Sequence, residues 1–60
     1  MNDQDTIKAA YSDSLKVLYN TFFGAFAAAV DQAGKDAALA RFKLGVTHAR
    51  QARDAALGVL

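Results

Sequence analysis

Apolar residues recur along the first half of the chain at spacings of three and four: Ile7, Tyr11, Leu15, Leu18, Phe22, Phe26, Ala29 and Ala33. At about 100° per residue, this spacing keeps one side of an α-helix apolar. Ser12, Asp13, Ser14 and Gly24 are weak helix formers, but none breaks the phase. A single helix is therefore predicted over about residues 4–33. Asn2, Asp3 and Asp5 suit its N-terminus, and Asn2 with Asp5 forms a weak capping-box pattern.

Gly34 is placed where a glycine commonly ends a helix, and Asp36 can cap the next one. The predicted turn is 34–35 and the second helix runs over about residues 36–57. One continuous helix through Gly34 is the alternative. A link this short makes the two helices antiparallel neighbours. The second helix repeats every seven residues. Leu39, Val46, Arg53 and Leu60 form one row, Phe42, Ala49 and Ala56 a second, and Ala38, Gly45, Ala52 and Val59 a third. These rows are mostly small, whereas the first helix offers bulky aromatics, and large against small is how a helical seam interdigitates. The register expected from the predicted turn puts Phe42 near Phe26, Val46 near Phe22 or Phe23, and Leu57 near Tyr11.

The stretch from Leu15 to Val30 organises the rest. Its aromatic side carries Leu15, Leu18, Tyr19, Phe22, Phe23, Phe26 and Val30, and its opposite side is small and nearly uncharged. On that opposite side Val17, Thr21, Gly24 and Ala28 follow spacings of four, three and four, a stripe that a second helix could approach closely. A single domain of 60 residues buries only about 60% of its unfolded surface. The chain has no cysteine, so disulfides cannot compensate. The expected fold class is all-α: an antiparallel helical hairpin assembling as a homodimeric four-helix bundle or a higher oligomer.

Charge alters this picture little. The net charge is +1, which by itself selects no partner. The first half is mildly acidic and the second mildly basic. Arg41, Lys43, His48, Arg50 and Arg53 make a candidate polar and basic surface, the only feature pointing towards nucleic acid. Arg53 interrupts an otherwise apolar row. Its stem can pack while its guanidinium reaches outward or stacks on Tyr11 or Tyr19.

Candidate chemistry is sparse. The chain contains no glutamate, and its one histidine, His48, has no Asp or Ser at a spacing that would orient it. No metal site or cofactor is expected, and Ala33-Gly34-Lys35-Asp36 lacks the glycines and the preceding strand of a phosphate loop. The N-terminus has no basic segment of a signal peptide, and the longest uncharged run, Val17 to Val30, is too short for a membrane span. The chain is thus expected to be cytoplasmic and not an enzyme. The leading function is a small oligomeric protein-interaction module: an adaptor, inhibitor or regulator binding another protein through helix surfaces. A nucleic-acid-binding regulator using the basic side of the second helix is the alternative, and a membrane-active amphipathic peptide is less favoured.

Overall fold

The structure, a computed structural model, describes residues 2–60. Two helices, α1 (Asp3–Ala28) and α2 (Gln32–Gly58), pack against each other as an antiparallel hairpin. Asn2 caps α1: its Oδ1 accepts the Asp5 backbone N–H at 2.8 Å. Asp3 and Asp5 lie in the first turn, where carboxylates favour the positive end of the helix dipole.

The turn differs from the expected one. The helices were expected at about 4–33 and 36–57 with a turn at 34–35, but α1 stops at Ala28 and α2 starts at Gln32. Asp31, not Asp36, is the cap, and its Oδ1 accepts the Gly34 backbone N–H at 2.8 Å. The Gln32 side chain then donates to Asp36 Oδ1 at 2.9 Å across the first turn. Gly34 is therefore helical, and no glycine among the described residues has a positive φ. Its small size serves a close approach instead, because a Cβ on Gly34 would sit 3.1 Å from the Ala29 Cβ.

Moving the turn shifts the register by about one helical turn. Phe42 meets Phe22, not Phe26, with ring centroids 4.9 Å apart. Arg53, not Leu57, meets Tyr11. A shift of one turn leaves the same sides of the helices in contact, with large against large at Phe22 and Phe42 and large against small where Leu18 meets Gly45. Gly45 makes the closest approach of the four glycines: a Cβ there would come within 2.6 Å of Leu18 Cδ2.

The hairpin is one layer thick. Its Cα trace measures 45 × 17 × 7 Å, with a radius of gyration of 14.1 Å. A compact domain of this length would have a radius near 10.4 Å by the usual scaling (about 2.2·N^0.38 Å). Domains normally enclose their core between two packed layers. Here, among the described residues, only Ala38 is buried, at 3% exposure.

Candidate functional site

The contact between Phe22 and Phe42 fixes which residues flank the seam. In an antiparallel pair, equal sequence offsets from two facing residues turn to the same side of the hairpin. Offsets of −3, +1 and +4 give Tyr19, Phe23 and Phe26 on α1, and Leu39, Lys43 and Val46 on α2. Offsets of −4, −1 and +3 give Leu18, Thr21 and Ala25, and Ala38, Arg41 and Gly45, on the other side. A shallow groove lined by Leu18, Thr21, Phe22, Ala25, Ala38, Arg41 and Phe42 confirms that second set.

The two sides differ in chemistry. The first is aromatic and aliphatic, and it stays open: Phe23 is 60% exposed, Tyr19 53% and Leu39 53%. The rings form a continuous ladder along α1, with Tyr19 6.4 Å from both Phe22 and Phe23, and Phe22 5.4 Å from Phe26. The Lys35 ammonium lies 5.3 Å from the centre of the Phe26 ring at the turn end. On α2 a groove is lined by Leu39, Phe42, Lys43, Val46, Thr47 and Arg50. The second side is also largely apolar, with Thr21 and Arg41 its polar members, but its flanking side chains are smaller and it carries no exposed aromatic ring.

An exposed cluster of three aromatic rings and Leu39, flanked by the half-buried Val46, on so small a chain is a candidate binding surface. In the sequence, Tyr19, Phe23 and Phe26 share the apolar arc of Phe22, so a helical projection assigns all four to the core. One neighbouring helix covers only part of so wide an arc. That width was the available signal.

The chain matches no family model, no curated protein and no solved structure.

The stripe of Val17, Thr21, Gly24 and Ala28 lies away from the aromatic face and receives no helix within the hairpin. Val17 is 65% exposed, and a Cβ on Gly24 would meet nothing within 4 Å. Gly24→Ala is therefore expected to stabilise the chain by about 0.5–1 kcal/mol, through helix propensity alone. Urea denaturation checks this; a loss of stability would reveal a close contact at Gly24.

The basic residues do not form one patch. Lys43 and Arg50 line the groove beside the apolar face, whereas Arg41 lines the groove on the opposite side. His48 projects from that opposite side and is exposed. Arg53 sits at the seam, its guanidinium 4.5 Å from the Tyr11 ring centre, and its Nε donates to Asp54 Oδ1 at 2.9 Å. That hydrogen bond pushes the Arg53 pKa above its ordinary value. Arg53→Met keeps the packed stem and loses the stacking, and should change stability by no more than about 1 kcal/mol. A calorimetric melt measures it; a loss of several kcal/mol would make the arginine indispensable to the seam.

Among the described residues, no group of three or more His, Cys, Asp or Glu side chains is arranged to hold a metal ion. No helix among them is long and apolar enough to cross a membrane.

Proposed function

We propose that this chain is a non-enzymatic protein-interaction module. It is a small adaptor, inhibitor or regulator whose hairpin completes its core against other helices in an oligomeric bundle. The observation that carries this reading is the exposed aromatic ladder of Tyr19, Phe23 and Phe26, alongside Leu39, on a one-layer hairpin. Burying such side chains is the main favourable contribution to most protein association, and aromatic anchors dominate interface energetics.

A second reading has one observation in its favour. Lys43 and Arg50 border the same face as the exposed aromatic rings, and cations beside aromatic platforms suit single-stranded nucleic acid.

A photo-crosslinking phenylalanine analogue at position 23 separates these readings in cells that make the full chain. The interaction module is expected to give adducts with polypeptide, and an analogue at Asn20, further round the helix, should give fewer. Adducts with nucleic acid, or none above the Asn20 control, would overturn it.

A further inference from the structure

We infer that the occupant of the apolar face is the same face of a second copy, related by a two-fold axis parallel to the helices. Both turns then lie at one end of a four-helix bundle, and α1 of each chain packs on α2 of the other. The inference rests on the reading of this face as an interaction surface, and names its partner.

Surface area supports a partner of this size. The chain exposes 4488 Å², whereas a compact monomer of 6.4 kDa would expose roughly 3800 Å². The surplus of roughly 700 Å² per chain becomes roughly 1,400 Å² for two, within the ~1,200–2,000 Å² of stable specific interfaces. A second identical layer also turns a single-layer hairpin into the two-layer arrangement that encloses a core.

The distribution of the apolar residues selects the symmetry. They lie in the turn-proximal half of both helices: Tyr19, Phe23 and Phe26 late in α1, Leu39 and Val46 early in α2. The same side of the open end carries Lys8, Ser12, Arg50 and Asp54, with the half-buried Leu57 its apolar exception. Two hairpins can stack face to face with a two-fold axis in only two ways. An axis across the helices puts the turns at opposite ends and lays α1 on α1. Full overlap then sets aromatic rings over Lys8 and Ser12. An axis along the helices superimposes apolar half on apolar half.

Charge points the same way. Helix α1 carries Asp3, Asp5 and Asp13 against Lys8 and Lys16, so it is net acidic. Helix α2 carries Lys35, Arg41, Lys43, Arg50 and Arg53 against Asp36 and Asp54, so it is net basic. On the face itself Arg41 and Arg53 take no part, and an axis along the helices sets Lys8 within one helical turn of Asp54 of the second copy, an opposite-charge pair that an axis across them does not make.

The native chain has no cysteine, so one engineered thiol labels a single site. Ala55→Cys is exposed near the open end of α2 and can carry a nitroxide. Circular dichroism checks that the labelled chain remains helical, and light scattering gives its mass. The expected result is a mass of twice 6.4 kDa and a label separation of roughly 15–30 Å, the width of a bundle with axes 8–10 Å apart plus tethers. An axis across the helices sets the two Ala55 sites about 30 Å apart along the bundle before its width is added, so a dimer whose labels stand more than about 35 Å apart would overturn the parallel axis. A chain that stays monomeric at every concentration would overturn self-association. Protein adducts at position 23 with other polypeptides would then leave the interaction reading intact.

Discussion

Phe22→Ala should abolish the folded state. Phe22 touches more of the aromatic cluster than any other ring, lying within 6.4 Å of Tyr19, 5.4 Å of Phe26 and 4.9 Å of Phe42. Truncating a buried phenylalanine costs about 3–5 kcal/mol. Phe22 is half-buried within one hairpin, so the lower end applies to a lone chain and the upper end once a second layer covers the face. Native stability is about 0.05–0.15 kcal/mol per residue, or roughly 3–9 kcal/mol for a chain this long. The loss is therefore comparable to the whole. Far-UV circular dichroism through a urea titration measures it, and a variant with a native-like midpoint would show that the Phe22–Phe42 contact does not hold the seam.

Phe23→Asp should leave the seam intact and break the assembly. Phe23 is 60% exposed, and a polar substitution on a solvated helix surface changes stability by no more than about 0.5 kcal/mol. In a two-fold dimer the same change buries two unpaired carboxylates. Even at ~2 kcal/mol each the total weakens the dimer about a thousandfold. Sedimentation equilibrium reads the constant directly. Val17→Asp, on the small-residue stripe, is the matched control and should leave the mass unchanged. Equal masses for wild type and Phe23→Asp would mean that the aromatic face is not the contact between copies.

The helical class and the Asn2 cap follow from local chemistry, and both are legible because each needs only neighbours in sequence. The seam also follows, since the phase of Ile7, Tyr11, Leu15, Leu18 and Phe22 decides which side is buried whatever the turn. The turn itself was misplaced because two aspartates five residues apart can each cap a helix. Gly34 seemed to choose Asp36, but its missing Cβ instead lets Ala29 approach the first turn of α2. Such a contact depends on where the chain reverses, which no local pattern specifies. The exposed face was hidden for a related reason. Helical phase reports that Tyr19, Phe23 and Phe26 are apolar on the same broad side as Phe22, but not how much of that side one neighbour can cover. Only the position of α2 against Phe22 divides the arc into a covered part and an open part.

Completion of the apolar face by a second copy would link folding to association. The melting temperature of the full chain over a roughly hundredfold range of concentration tests this most directly, because a state stabilised by self-association becomes more stable by mass action. The expected melting temperature climbs steadily with concentration, together with a mass of twice 6.4 kDa where the transition is highest. A melting temperature that does not move, with the mass of a single chain throughout, would contradict it.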